Sequence, residues 1–120
     1  MKITDLKPAI VWKFFHEVTQ VPRPSKKEGK MIEYLESFAK TYKVAIKKDA
    51  AGNILMSKPA TPGMENRPVV VLQSHMDMVC EKNNDTKHDF DNDPIETIVD
   101  GDWLRANGTT LGADNGIGVA

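Results

Sequence analysis

The sequence predicts an α/β fold, on three observations. Two amphipathic segments precede Tyr42, each with apolar residues at spacings of three and four. Short β-prone stretches then alternate with turn-rich linkers. Finally, Val69-Val70-Val71-Leu72 is a continuous apolar run, which fits a strand buried on both faces, as in the parallel part of an α/β sheet.

Ile10, Val11, Phe14, Phe15 and Val18 place one apolar face on a helix expected over roughly Leu6 to Thr19. Thr4 or Asp5 is available as its cap, and Pro8 is tolerated near a helix start. Val21-Pro22-Arg23-Pro24 breaks the pattern. Ser25-Lys26-Lys27-Glu28 then reads as a capping box opening a second helix, whose apolar face holds Met31, Leu35, Phe38 and Tyr42.

Val44-Ala45-Ile46 and Ile54-Leu55-Met56 read as short strands separated by the turn-rich Asp49-Ala50-Ala51-Gly52-Asn53. The stretch from Pro59 to Pro68 is a proline-rich loop, and residues 81 to 94 form a polar, acidic one. Thr97-Ile98-Val99 and Trp103-Leu104 flank Asp100-Gly101-Asp102, a hairpin signal. The last segment, Gly108 to Gly118, is rich in glycine and carries Asp114. Trp12, Phe14, Phe15 and Trp103 are expected in the core rather than as stacking platforms.

Composition narrows the function. The chain has 120 residues, enough for one small domain, with 40% apolar and 28% charged residues. Its 16 basic and 17 acidic residues leave a net charge of −1, so neither nucleic acid nor an anionic membrane is an expected partner. The single cysteine, Cys80, cannot form an intramolecular disulfide, and the start Met1-Lys2-Ile3-Thr4-Asp5 lacks the apolar run of a signal peptide. A cytoplasmic location is expected. The chain stops at Gly116-Ile117-Gly118-Val119-Ala120, where chain ends are ordinarily polar, and is expected to be a fragment of a longer protein.

Two features carry candidate chemistry. His75-Met76-Asp77 lies just past the Val69–Leu72 run, and open α/β sheets bind ligands beyond the carboxyl ends of their strands. In an extended backbone, residues two apart point to one side, so Asp77 can orient the His75 ring and raise its basicity as a metal ligand. Taken alone, the pair reads rather as a structural histidine satisfied by a neighbouring carboxylate. Leu111-Gly112-Ala113-Asp114-Asn115-Gly116 places an acidic residue among small ones, where backbone can approach a metal closely. It reads alternatively as a glycine-rich turn with Asp114 as a helix cap. Asp89, Asp91 and Asp93 match the first positions of a calcium loop, but Pro94 and Asp100 stand where Gly and Glu are needed, so the segment is expected to be a solvated acidic loop.

Three segments together resemble the aminoacyl-histidine (Xaa-His) dipeptidase family of metallopeptidases, relatives of carboxypeptidase G, aminoacylase and tripeptidase T. They are Ser74-His75-Met76-Asp77-Met78-Val79, Asp100-Gly101-Asp102-Trp103-Leu104-Arg105-Ala106 and Thr109-Thr110-Leu111-Gly112-Ala113-Asp114-Asn115-Gly116. Val21-Pro22-Arg23-Pro24-Ser25 with Glu28 resembles an early segment of the same family.

The resemblance implies a three-layer α/β/α zinc-peptidase catalytic domain with a mixed sheet, of which residues 1–120 are the N-terminal part. It implies His75 as ligand of one metal, Asp77 as the catalytic-site carboxylate holding the His75 ring, Asp114 as the bridge between two Zn2+ ions, and a cis peptide between Asp114 and Asn115. Small peptides, foremost Xaa-His dipeptides, are the implied substrates. The family's general-base glutamate, further ligands and lid domain, which often dimerises, lie downstream of the bridging Asp and are expected outside this chain. On this reading the chain supplies part of a metal site and is inactive alone. Two alternatives stand beside it: a stand-alone, non-catalytic domain keeping a partial metal motif, or a tripeptidase or N-acyl amino acid deacylase of the same family.

Overall fold

A computed structural model describes residues 1–120. A 3-10 turn at Ile3–Asp5 leads to α1 (Ala9–Thr19) and α2 (Gly29–Tyr42). β1 (Ala45–Lys48), β2 (Ile54–Ser57), β3 (Thr97–Asp100), β4 (Trp103–Ala106) and α3 (Ala113–Val119) complete the order. Helices and strands are both present, as an α/β chain requires. The residues divide into two compact units, Met1–Met31 with Ser74–Ala120, and Ile32–Gln73.

In the first unit, α1 starts three residues later than its apolar pattern suggests. Pro8 disfavours helical backbone at Lys7, and Pro8 itself is extended at the N-cap (φ −71°, ψ 132°). Neither Thr4 nor Asp5 caps α1. Asp5 belongs to the preceding turn, where Oδ2 accepts the Lys2 amide at 2.8 Å. Phe15 and Val18 face the core of this unit with Ile3, Met31, Met78 and Ile95. Ile10 stays exposed, and so does Trp103, contrary to its expected place in the core. Trp103 sits in a two-stranded hairpin with no second layer over its ring, which leaves the indole in solvent.

That hairpin pairs β3 with β4 antiparallel, Asp100 opposite Trp103, with Gly101-Asp102 as the loop. Gly101 takes φ 58°, the left-handed region a two-residue hairpin turn demands. The Ile95 amide donates to Thr19 O at 2.9 Å, fixing the hairpin's entry to the end of α1.

The expected capping box at Ser25 is not formed, and α2 begins only at Gly29. Lys26 is left-handed (φ 69°), and the Ser25 hydroxyl turns elsewhere. The acidic loop is closed by its own hydrogen bonds. Asp89 Oδ1 accepts the Asp91 amide at 2.9 Å and Oδ2 accepts Asn92 Nδ2 at 2.7 Å. Lys27 Nζ donates to both Asp91 carboxylate oxygens, at 3.0 and 2.8 Å.

In the second unit, α2 ends on Lys43 in the left-handed region (φ 55°), with the Val44 amide donating to Ala39 O at 2.9 Å, a Schellman stop. β1 and β2 pair antiparallel, Ala45 opposite Ser57 and Lys48 opposite Ile54. Asp49 closes the turn, its Oδ1 accepting the amides of Ala51 and Asn53 at 2.9 and 2.8 Å.

The strand expected at Val69–Leu72 is not formed. These residues join no ladder and are between 77% and 93% exposed. A run apolar on both sides makes a strand only with neighbours on its edges and layers over both faces. Here the strands pair as two separate antiparallel hairpins, so the chain contains no mixed sheet.

Candidate active site

His75, Asp77 and Asp114 meet in the first unit, 39 residues of chain separating His75 from Asp114. Two pairings bring them together. Segment 23–25 runs beside segment 77–79: Pro24 and Met78 form a parallel bridge, and the Met78 amide donates to Arg23 O at 3.0 Å. Segment 79–83 runs antiparallel to 108–110. The Thr110 amide donates to Glu81 O at 2.8 Å, the Asn83 amide to Gly108 O at 2.9 Å, and Thr110 Oγ1 to Val79 O at 2.7 Å. The chain leaving Thr110 therefore passes the residues around His75, and Gly112, left-handed at φ 72°, turns it into α3.

Asp114 and Asn115 do not have helical dihedrals, and the peptide between them is cis, as the family resemblance implies. Asp114 does not act as a helix cap. Gly112 is the N-cap of α3, and no side chain bonds that end. The Asp114 carboxylate instead points out, 97% exposed, toward the imidazole.

His75 stands between two carboxylates. Its Nδ1 lies 3.0 Å from Asp77 Oδ1, and its Nε2 lies 3.0 Å from Asp114 Oδ1. Ionised carboxylates only accept, so both ring nitrogens donate and the ring is favoured in its charged form. The His75 pKa is accordingly raised above 6.5, first by the Asp114 bond and then by Asp77, against the partial desolvation of the ring. The Asp77 pKa is lowered, chiefly because Ser25 Oγ donates to Oδ2 at 2.5 Å.

Ser25 and Arg23 belong to this site, although the family-like segment that holds them gives neither a role in it. The four-residue pattern around Ser25 is a standard cap signal, whereas its actual partner is 52 residues away. Arg23, 1% exposed, stands in the sequence as part of a helix break and of the early family-like segment, neither of which assigns it a role. Its Nη1 donates to Met76 O at 3.2 Å and Asp77 O at 3.3 Å, and its Nη2 to Gly112 O at 2.7 Å. The signal the sequence offers for this role is the pair of flanking prolines, Pro22 and Pro24, whose fixed φ stiffens the backbone that carries the arginine.

The donor set can be tested against zinc. An imidazole nitrogen and a carboxylate oxygen are ordinary zinc ligands, and two ligands of one tetrahedral ion stand roughly 3.3 Å apart. His75 Nε2 and Asp114 Oδ1, at 3.0 Å, suit that spacing, with Nδ1 engaged by a carboxylate as ligating histidines require. No group of three or more His, Cys, Asp or Glu side chains is arranged to hold one metal ion together. The residues present therefore fit a pair of ligands and not a closed cage.

No protein-family model matches the chain, but individual proteins do. The chain is 51% identical over 119 residues to the cytosol non-specific dipeptidase of Escherichia coli (strain K12), covering 99% of this chain and 24% of that protein. It also matches the crystal structure of aminoacylhistidine dipeptidase from Vibrio alginolyticus at a TM-score of 0.95 and 50% identity, again over 99% of this chain and 24% of the other. The chain thus spans about a quarter of the length of the relatives it matches. Over nearly its whole length, then, it is similar in sequence and in fold to one part of the aminoacyl-histidine dipeptidases, the family its motifs resemble.

Proposed function

We propose that this chain supplies part of the active site of a zinc-dependent peptidase acting on small peptides, with His75 and Asp114 as metal ligands and Asp77 as the carboxylate that orients His75. The observation that carries the proposal is the His75 ring, held through Nδ1 by Asp77 and presenting Nε2 to Asp114 at 3.0 Å. The dipeptidase activity named for both relatives supports it.

Each residue has a distinct task. With Nδ1–H committed to Asp77, neutral His75 would offer its Nε2 lone pair to a zinc ion, and the negative partner would make it a stronger donor. Ser25 fixes Asp77 from its other oxygen, so the imidazole plane is set by two bonds in series. Asp114 has one oxygen beside His75 and a largely solvated carboxylate, which leaves its second oxygen open to bridge a further cation. When bound, zinc would lower the pKa of a water and polarise the scissile carbonyl. The general base is proposed to be a glutamate outside these 120 residues, as the family resemblance implies.

The proposed enzyme has a three-layer catalytic domain with a mixed sheet, of which residues 1–120 are the N-terminal part; it is cytoplasmic, holds two zinc ions, pairs through its lid domain and prefers Xaa-His dipeptides. No helix is long and apolar enough to cross a membrane.

The test is hydrolysis of a panel of Xaa-His dipeptides, other dipeptides, tripeptides and N-acyl amino acids by the complete gene product. Activity on dipeptides that EDTA abolishes, zinc restores and Asp114→Ala reduces by at least about 100-fold is expected. Full activity of the Asp114→Ala protein would sink the metal-site assignment, and turnover confined to tripeptides or N-acyl amino acids would move the substrate class.

A further inference from the structure

Arg23 touches both chain segments that carry the candidate ligands. One arm of its guanidinium holds the carbonyls of Met76 and Asp77, on either side of the bond that follows His75-Met76. The other arm holds the carbonyl of Gly112, two residues before Asp114. The partners of both Nη atoms are thus carbonyl oxygens drawn from segments far apart in sequence. The side chain is buried, and burial lowers its pKa, with Asp77 the main opposing influence. A guanidinium nevertheless stays charged in a protein. Placing a permanent charge in the interior is costly unless it is hydrogen-bonded; both Nη atoms are bonded, while the buried Nε has no partner.

The backbone around it is shaped to admit it. A Cβ at Gly112 would stand 2.5 Å from Nη2, and one at Gly116 would stand 2.7 Å from the same atom. The two glycines therefore leave on either side of Asp114 the space that the guanidinium fills.

We propose that Arg23 is a positioning residue for this site, its fork setting the separation of His75 Nε2 from Asp114 Oδ1. This rests on the reading of His75 and Asp114 as ligands of one zinc ion. A planar fork holds two segments at once with fixed geometry, whereas a lysine ammonium offers one point of attachment on a flexible stem. Arg23→Lys keeps the charge and loses the span. It is expected to leave the fold in place while loosening the register between the two ligands.

The experiment is a zinc titration followed by the amide resonances of Asp114 and Asn115, in the unmodified protein, Arg23→Lys, His75→Ala and the double variant. Arg23→Lys is expected to weaken zinc binding about tenfold or more, as loss of an outer partner of a metal ligand commonly does. In the His75→Ala background it should change nothing, because no second ligand remains to be held in register. Equal weakening in both backgrounds would make Arg23 a general structural tie and overturn the proposal. Wild-type affinity in Arg23→Lys, with His75→Ala impaired, would overturn the role of Arg23 alone. Unchanged binding in His75→Ala would instead overturn the zinc-ligand reading, and the proposal with it. Should Arg23→Lys not fold, the 15N spectrum of the unmodified protein decides. Separate Nη1 and Nη2 signals that shift on zinc addition support the tie, and one averaged, unshifted signal overturns it.

Discussion

Ser25 Oγ donates to Asp77 Oδ2 at 2.5 Å, joining the loop before α2 to the residue that holds His75. Hydrogen bonds to charged groups contribute about 1.5–3 kcal/mol when shielded. The Asp77 side chain is 32% exposed, so water replaces part of the bond when it is lost. Ser25→Ala is expected to cost about 1 kcal/mol. Urea unfolding would show it as a lower midpoint with unchanged slope, and relaxation of the His75 ring should show greater mobility. An unchanged midpoint would mean that the hydroxyl contributes nothing to holding Asp77.

Gly116→Ala should lower stability, whereas Gly29→Ala should not. Alanine is the better helix former by about 1 kcal/mol. At Gly116 a Cβ would stand 2.7 Å from Arg23 Nη2 and 3.1 Å from Phe15 Cε2, and overpacking of that kind costs about 1–3 kcal/mol. At Gly29 nothing lies within 4 Å of it. Thermal unfolding should therefore show Gly116→Ala melting lower than the unmodified protein and Gly29→Ala equal or higher. A stabilised Gly116→Ala would contradict the close packing of Arg23 and Phe15 under α3.

The β1–β2 turn should weaken in acid. The Asp49 pKa is lowered from its usual value of 3.8, first by the Asn53 side-chain amide, whose Nδ2 donates to Oδ2 at 2.8 Å, and then by backbone amides. A carboxyl depressed in the folded state adds stability that is present above its unfolded pKa and disappears as pH falls through the folded one. Asn53→Ala removes the largest cause and should raise the Asp49 pKa toward the ordinary carboxylate range. A titration of the Asp49 carboxyl carbon by NMR measures both values, and an identical pKa in the two proteins would rule out the side-chain bond as its cause.

Much of the local structure is legible in the sequence because local rules set it. The Asp-Gly signal locates the β3–β4 hairpin, with Gly101 in the left-handed turn position. The apolar periodicity finds both long helices; Pro8 delays the start of α1, and the capping-box signal at Ser25 misplaces the start of α2, where Lys26 is left-handed. The Val69–Leu72 run misleads because its apolar content specifies burial, and burial depends on neighbours that the run itself does not provide.

The candidate site divides along the same line. By itself the sequence determined which side chains are candidates, since His75 and Asp77 lie two residues apart and their contact needs only a locally extended backbone. It also marked Asp114 within its glycine-rich segment. Only the tertiary structure decided that Asp114 meets His75, that Ser25 holds Asp77 rather than capping a helix, and that Arg23 bonds the carbonyls of Met76, Asp77 and Gly112. The physical reason is the length of chain between partners. Contacts closed over a few residues follow from residue type and backbone preference, whereas those between distant segments exist only after the strand-like pairings of 23–25 with 77–79 and 79–83 with 108–110 have brought the backbones together.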